Sequence, residues 1–246
     1  MTKKFELVAE LTKEFFGRKL FRIRAVVSFG DVSEGDLGGW VEKENNLDQS
    51  GKAWVYGDAQ VYGDAWVYGN AQVYGNARVY GDAQVYGDAR VSGKAWVSGK
   101  AWVYGDAWVY GDAWVYGDAW VYGNAQVYGN ARVYGDAWVY GDAQVSGDAW
   151  VYGNAWVYGD AWVSGDAWMS GNAHWITIGP IGSENGFLTA FRQKDNSIVV
   201  SRGCFSGTID EFESAVKERH GDSKHAQIYL ALIPVIKLRL DEVSDE

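Results

Sequence analysis

Cysteine, proline and histidine are scarce in this chain of 246 residues, which contains one, two and three of them respectively. A single cysteine excludes an intrachain disulfide framework and any cysteine-rich zinc module. No run of about 18 apolar residues is present, so we expect no membrane-spanning helix. The first six residues lack the apolar stretch of a signal peptide. These absences favour a protein that is neither secreted nor inserted into a membrane.

Positive charge is also in deficit, since 22 Lys and Arg face 32 Asp and Glu, for a net charge of −10 at pH 7. A negative surplus of this size disfavours direct binding to a nucleic-acid backbone or to an anionic membrane surface. Apolar residues make up 48% of the chain and aromatic residues 16%, which excludes simple disorder.

Glycine and the aromatic residues are abundant because a six-residue unit repeats twenty times, without insertion or deletion, over residues 51–170. The unit is Gly-(Asp/Asn/Lys)-Ala-(Trp/Gln/Arg)-Val-(Tyr/Ser), in which Gly and Ala never vary and Val is replaced once, by Met169. Ala and Val lie two residues apart and so share one face of a strand, while the fourth and sixth positions share the other. Gly-Asp and Gly-Asn are turn dipeptides. The pattern predicts short strands joined by two-residue corners, which is a β-solenoid, over the alternative of a disordered low-complexity tract.

Read from its valine, the unit Val-Tyr-Gly-Asp-Ala-Trp resembles the hexapeptide-repeat signature of the left-handed parallel β-helix proteins. The resemblance covers all twenty units and implies an all-β solenoid, left-handed, with three hexapeptides per coil. Twenty units then form about 6.7 coils, or roughly 32 Å of solenoid. Residues 29–41 also resemble a segment of uncharacterised bacterial and prophage members of this family. Those proteins are often labelled as transferases on the fold alone, and a fold does not imply a function.

Composition divides the chain into four parts. Residues 1–50 form an N-terminal cap with a degenerate first coil, 51–173 the repeat, 174–240 a small α+β domain, and 241–246 an acidic tail. In the first part we expect a capping strand over 21–27, with Val41 and Leu47 in the valine positions of the degenerate coil.

In the α+β domain, alternation predicts strands at 175–179, 187–193 and 197–202, the last two joined as a hairpin. Thr208 and Glu211 form a capping-box pattern that begins a helix, and Gly221 ends it. A second helix, capped by Asp222, contains Pro234, which is expected to bend or interrupt it.

Few residues in this chain could act in catalysis or bind a metal. The resembled family includes carbonic anhydrases, which hold a metal with three histidines, and acyltransferases, which place a histidine at a subunit interface. No unit in 51–170 contains histidine, so the metal-site interpretation finds no ligands. The acyltransferase alternative needs a general base, for which only His174, His220 and His225 exist. We expect His174 and His220 to be surface residues and Cys204 to be a buried structural thiol rather than a nucleophile.

Two further kinds of site are disfavoured by the pattern. No glycine-rich phosphate loop is present, because the repeat glycines form corners. The aspartates of the corners supply too few ligands at any one place for calcium. The sequence therefore predicts no catalytic residue, no metal and no cofactor.

If three units form one coil, every third unit lies on the same side, and one side carries an unbroken tyrosine row. The side chains expected on this first face are Trp66, Tyr68, Gln84, Tyr86, Trp102, Tyr104, Trp120, Tyr122, Trp138, Tyr140, Trp156 and Tyr158. Rings about 4.8 Å apart can stack along the axis, at about 0.5–1.5 kcal/mol per pair. Large flat aromatic faces also mark interfaces. We expect self-association as a dimer or trimer, or docking of a host protein or a glycan.

The charges allow two other interpretations. Aspartates at the corner before the first face form a mostly acidic row, which could imitate nucleic acid and capture a DNA-binding protein. Alternatively, Arg78, Arg90 and Arg132 could contact a sequestered small anion. The sequence favours a non-enzymatic, phage-type or prophage-type protein in the cytoplasm of a bacterial host. Its aromatic ladders would serve assembly, host interaction or an anti-defence role, with an acyltransferase as the alternative.

Overall fold

The molecule begins with a strand hairpin that closes one end of a long coil. The structure is a computed structural model that describes residues 3–182 and 184–241. Strands β1 (Phe5–Phe15) and β2 (Arg18–Ala25) pair antiparallel, and β2 pairs antiparallel with β3 (Leu37–Val41). A short 3-10 helix, Glu44–Asn46, follows β3.

Twenty two-residue strands follow, each made of the fourth and fifth residues of one repeat unit. In chain order they are β4 (Trp54–Val55), β5 (Gln60–Val61), β6 (Trp66–Val67), β7 (Gln72–Val73), β8 (Arg78–Val79), β9 (Gln84–Val85), β10 (Arg90–Val91), β11 (Trp96–Val97), β12 (Trp102–Val103), β13 (Trp108–Val109), β14 (Trp114–Val115), β15 (Trp120–Val121), β16 (Gln126–Val127), β17 (Arg132–Val133), β18 (Trp138–Val139), β19 (Gln144–Val145), β20 (Trp150–Val151), β21 (Trp156–Val157), β22 (Trp162–Val163) and β23 (Trp168–Met169).

Each of these strands up to β20 pairs in parallel with the strand three units later, as Trp102 does with Trp120 and Val103 with Val121. Three sheets result. The first face is the six-stranded sheet from β6 to β21, the second face a ten-stranded sheet that starts with the N-terminal hairpin, and the third face a seven-stranded sheet from β4 to β22. The solenoid and its three units per coil are confirmed, and every unit lies on its predicted face. The left hand stays a prediction from the resemblance.

The interior is built from two small side chains per unit. The repeat alanines and valines are buried, with none more than 1% exposed. Hydrogen bonds between coils run along the axis, as Trp102 N donates to Ala119 O at 2.9 Å and Tyr104 N to Val121 O at 3.0 Å. Full burial of one valine side chain contributes about 1.5–3 kcal/mol. The repetition of this gain along the repeat stabilises the coil, and the large buried side chains lie only at its ends.

The corners explain why glycine never varies. Gly99 has a φ of +68°, and a Cβ there would lie 2.8 Å from Gly117 N in the next coil. The following residue, Lys100, donates its backbone N–H to Gly117 O at 2.8 Å. The corner therefore needs glycine for two reasons, its left-handed conformation and the close approach of the neighbouring backbone.

The N-terminal cap covers the open end of the interior. Phe5, Ile23 and Trp54 are fully buried there. Lys4 is buried too, and its Nζ donates to Ser50 O at 3.1 Å and to Ala53 O at 2.9 Å. Strand β2 overlaps the predicted capping strand, β3 pairs in parallel with β5, and Leu47 bridges to Val67. Strand β1 was not predicted, although Phe5, Leu7, Ala9 and Leu11 place an apolar residue at every second position, as in a strand.

The C-terminal part is an antiparallel sheet covered by two helices. Its elements are a 3-10 helix (Asn172–His174), β24 (Trp175–Ile181), β25 (Gly186–Arg192), β26 (Ile198–Arg202), β27 (Phe205–Thr208), α1 (Ile209–His220) and α2 (Lys224–Asp241). The sheet order is β24-β25-β26-β27. Trp175, Phe191 and Val199 belong to the same buried cluster as the solenoid interior, so this part closes the other end of the coil.

Two details of the helices differ from expectation. The second helix is continuous through Pro234, because buried Tyr229 and Ile233 before it and Ile236 and Leu240 after it hold both halves against the sheet. The Oγ of Ser223, rather than Asp222, accepts from the first turn, at 3.3 Å from Ala226 N. The capping box of Thr208 and Glu211 is confirmed. Of the predicted acidic tail, residues 242–246 lie outside the described residues.

The corner geometry yields a prediction with a matched control. We expect Gly159→Ala to lower the free energy of unfolding by about 1–2 kcal/mol, because its φ is +64° but nothing lies within 4 Å of the new Cβ. Gly99→Ala should cost at least about 1 kcal/mol more, since the backbone of Gly117 must move. Urea unfolding of both variants measures the difference. Equal losses would show that close approach between coils is not a constraint.

Candidate functional site

The first face carries an unbroken row of stacked tyrosines. Ring centroids are 4.7 Å apart for Tyr68 and Tyr86 and 4.8 Å for Tyr104 and Tyr122, and the ring planes differ by 8° and 2°. The row continues to Tyr158, which Trp175 covers edge-on at 5.2 Å. Backbone pairing fixes the rungs at the distance that stacked rings need, so the ladder forms without adjustment of the coil.

A tryptophan row runs beside the tyrosines on the same face. Trp102, Trp120, Trp138 and Trp156 stack with centroids 5.0, 5.0 and 5.1 Å apart. Three tyrosines, Tyr86, Tyr104 and Tyr122, also meet the tryptophan of the next coil edge to face, at 6.1 to 6.3 Å. The two rows therefore form one continuous aromatic surface.

This stacking decides what the first face can offer to a partner. The flat sides of the rings lie against neighbouring rings of the same row, so the outward surface consists largely of ring edges. Ring edges carry partial positive charge and ring faces partial negative charge. Tyrosine hydroxyls and indole N–H groups add polar atoms, and Tyr68 Oη donates to Gln84 Oε1 at 3.3 Å. A glycan that binds by stacking needs an open ring face, which an interior rung of this ladder does not provide.

The first face also differs from the other two in charge and in composition. Eleven of its twelve outward positions are aromatic and the twelfth is Gln84, whereas arginine interrupts both other faces. The second face is partly covered, because Phe15 of the N-terminal hairpin packs edge-on against Tyr62 at 5.8 Å. On the third face, Phe29 covers Trp54 at 5.3 Å. The first face is the longest uncharged aromatic surface on the coil.

The three arginines proposed as anion contacts occupy ring positions in the other ladders. The Arg132 guanidinium lies 5.2 Å from the Trp114 ring and 4.7 Å from the Trp150 ring. A planar guanidinium can take the place of a stacked ring, whereas an ammonium group cannot. Arginine is therefore compatible with the ladder.

The structure does not bring these arginines together. Arg78 contacts Phe15 and Trp96 at 4.8 and 5.0 Å, and it lies three rungs from Arg132 on the second face. Arg90 lies on the third face, over Trp108 at 4.9 Å. A shared anion site for the three is therefore not formed, and each one's contact with an anion stays a prediction.

Of the candidate chemical groups, His174 differs from expectation because it is buried, with 6% of its surface exposed. The chain leaves the coil in a 3-10 turn at this point, which turns His174 back so that its Nδ1 accepts from Ser170 N at 3.1 Å. This burial within its own chain differs from the surface position that the acyltransferase alternative requires of His174.

Cys204 also differs from expectation, since it is exposed. It lies in the two-residue turn between β26 and β27, where Arg202 pairs with Phe205. Strand β27 was not predicted, so this turn was not expected either. His220 ends α1, as expected, and its ring lies 6.4 Å from that of His225.

The residues at the corner before the first face form a row along the axis. Positively charged neighbours reduce the negative charge that its aspartates give this row. Asp64 pairs with Lys43, and Lys100 lies between Asp82 and Asp118 along the row. Elsewhere asparagines separate the aspartates, as Asn124 Nδ2 donates to Asp142 Oδ1 at 2.8 Å. Over residues 3–182 and 184–241, no group of His, Cys, Asp or Glu side chains could hold a metal ion. Within the same ranges, no helix has both the length and the apolarity to cross a membrane.

Arginine stacking yields a paired prediction. Arg132→Lys should lower the free energy of unfolding by about 1 kcal/mol, because lysine cannot stack between Trp114 and Trp150. Arg90→Lys, which gives up one ring contact, should cost about half as much. Urea midpoints at an unchanged slope measure both losses. A larger loss for Arg90→Lys would contradict the stacking role.

The tyrosine ladder predicts a loss of stability at alkaline pH. Burial raises the pKa of Tyr68 and Tyr104 from 10.0 to about 12, and neighbouring ring hydroxyls add to the effect. The neutral phenol is thus favoured in the folded state, so its contribution is full below about pH 10 and is lost as the pH rises through about 12. Tyrosinate absorbance should appear at higher pH in the folded protein than in urea. Coincident titration curves would contradict this.

Comparison with known proteins gives a family match for parts of the repeat alone. The family model described as the YdcK beta solenoid repeat matches residues 59–72, 71–83, 83–99, 125–141 and 143–159. No match was found among curated proteins. The chain is thus similar to the YdcK beta solenoid repeat in five segments of its coil, all of which lie within the parallel β-solenoid.

Proposed function

We propose that this protein is a non-enzymatic scaffold that associates with a second copy of itself through the first face. The observation that carries the proposal is the uncharged aromatic surface of that face with its unbroken tyrosine row, which neither the second nor the third face has. Trp66, Trp156 and Tyr158 at its two ends are each more than 40% exposed. Burial of ring edges against a second apolar surface gains the hydrophobic free energy that stacking within the chain leaves unused.

The size of the face sets the expected strength of association. The tyrosine row is about 25 Å long, and one unit spans roughly 15 Å, so the flat strip covers about 400 Å². The largest apolar patches of monomeric proteins reach about 300–600 Å² and are often functional. Stable complexes bury about 800 Å² per partner, so we expect reversible association that depends on concentration.

A second copy fits this surface better than a glycan does. Since the rings meet each other face to face, stacking of a sugar on an interior rung is blocked, whereas a flat apolar surface can still pack against the ring edges. Aspartates flank the strip, among them Asp118 and Asp136 on one side and Asp142 and Asp160 on the other. The same edge-on surface would accept an apolar patch on a host protein, as expected of a phage-type product.

Light scattering over a range of concentrations tests the proposal. The chain has a mass of 27.2 kDa, and we expect the measured mass to rise above this value with concentration. Added salt should strengthen association, because it screens the flanking aspartates and not the apolar contact. A nucleic-acid mimic bound to a DNA-binding protein would respond to salt in the opposite direction.

Trp120→Arg should abolish association while the coil stays folded. Arginine can stack between Trp102 and Trp138, as Arg132 does between Trp114 and Trp150, but it places a charge in the middle of the first face. Trp162→Arg on the third face is the matched control and should associate normally. A wild-type mass of 27.2 kDa at every concentration, or equal association of the two variants, would refute the proposal.

A further inference from the structure

The C-terminal part contains a cavity of about 170 Å³ that the solenoid does not contribute to. It lies where the turn between β26 and β27 meets helices α1 and α2. Its walls combine cationic and aromatic side chains. The residues that matter here are Arg202, Phe205, Phe212, Arg219, His220 and Tyr229.

The cationic side of the cavity is not neutralised. Arg202 Nη2 donates to Ile181 O at 2.9 Å, and its buried Nε has no hydrogen-bond partner among the described residues. Arg219 is exposed in the last turn of α1 and forms no ion pair with any residue the structure describes. The one carboxylate in the wall is that of Glu184. Two guanidinium groups and one carboxylate therefore line the cavity among the described residues.

The wall of the cavity also contains a connected group of rings. Phe205 and Phe212 have centroids 5.4 Å apart, and Phe212 meets Tyr229 edge to face at 5.8 Å. The His220 ring lies 5.8 Å from that of Tyr229. Phe212 and Tyr229 are buried, so these rings form a fixed apolar wall.

We propose that this cavity binds a small organic oxyanion, a carboxylate or phosphate group attached to a compact apolar body. The oxyanion would accept hydrogen bonds from Arg202 and Arg219, since guanidinium groups match both carboxylate and phosphate in geometry. The apolar body would pack against Phe205 and Phe212. The cavity is smaller than the 300–1,000 Å³ typical of sites for drug-sized ligands, which favours a compact ligand over a nucleotide.

Cys204 provides the readout, because it lines the cavity, is exposed and is the single cysteine of the chain. Alkylation of the intact protein by iodoacetamide, a neutral reagent, is followed by mass spectrometry while benzoate or phenyl phosphate is added. Both anions should slow alkylation in a saturable manner. At about ten times the half-protecting concentration the rate should fall about tenfold. Benzylamine, which has the same ring and the opposite charge, should not protect, and inorganic phosphate alone should protect much more weakly.

Two variants make the test specific. Arg219→Gln removes an exposed side chain that the fold does not use, and it should raise the half-protecting concentration of benzoate about tenfold. Lys217→Gln removes the same charge from the same helix, but Lys217 pairs with Glu213 outside the cavity, so protection should be unchanged. Circular dichroism confirms that both variants fold.

The opposing outcomes are equally defined. Absence of protection by either aromatic anion overturns the proposal, as does equal protection by benzylamine or by inorganic phosphate. Equal effects of Arg219→Gln and Lys217→Gln also overturn it. They would show that protection depends on the total charge of the helix and not on a contact with Arg219. None of these outcomes bears on self-association through the first face.

Discussion

The parallel pairing of each repeat unit with the unit 18 residues later determines the surface of this protein. That pairing sets neighbouring rungs about 4.8 Å apart, which is also a distance at which aromatic rings stack. Trp102 and Trp120 meet at 5.0 Å because their backbones are already hydrogen-bonded in register. Glycine at the corners makes the pairing possible, and Ala and Val fill the interior that it encloses. The aromatic ladders are therefore a consequence of the coil.

Stacking along the axis determines which ligands the aromatic surface can bind. A surface rich in tryptophan and tyrosine suggests open rings that could receive sugars or bases. Here the ring faces are covered within the chain, and the outward ring edges suit contact with another protein surface. Arginine fits the same geometry on the other faces, where Arg132 lies between two tryptophans, but it brings a charge with it. The absence of arginine from the outward positions of the first face distinguishes that face.

The regular part of the fold could be predicted in detail. The period of six fixes the inward side chains, and the three units per coil that the resemblance to hexapeptide-repeat proteins implies fix the face of every unit. Stacking of the rings along the axis was also predicted, from the spacing of the rungs, and is confirmed. The edge-to-face contacts between the tyrosine and tryptophan rows were not predicted, since they depend on side-chain torsions that the period does not specify. Predictions were wrong where the repeat stops. His174 is buried by a 3-10 turn and Cys204 is exposed in a hairpin turn, and neither turn follows from the repeat pattern. The cavity near Cys204 could not be predicted from the sequence either. Its wall combines residues of β26, β27, α1 and α2, which only tertiary packing brings together.

The most direct test of the account asks which face meets a second copy. In a Cys204→Ser background, Tyr122→Cys places one thiol in the middle of the first face, and Tyr134→Cys places one in an equivalent position on the second face. A short bismaleimide reagent is then used to cross-link each protein under conditions where the wild type associates. The account predicts a covalent dimer for Tyr122→Cys and little or none for Tyr134→Cys. Equal cross-linking of the two, or a dimer formed only by Tyr134→Cys, would contradict it.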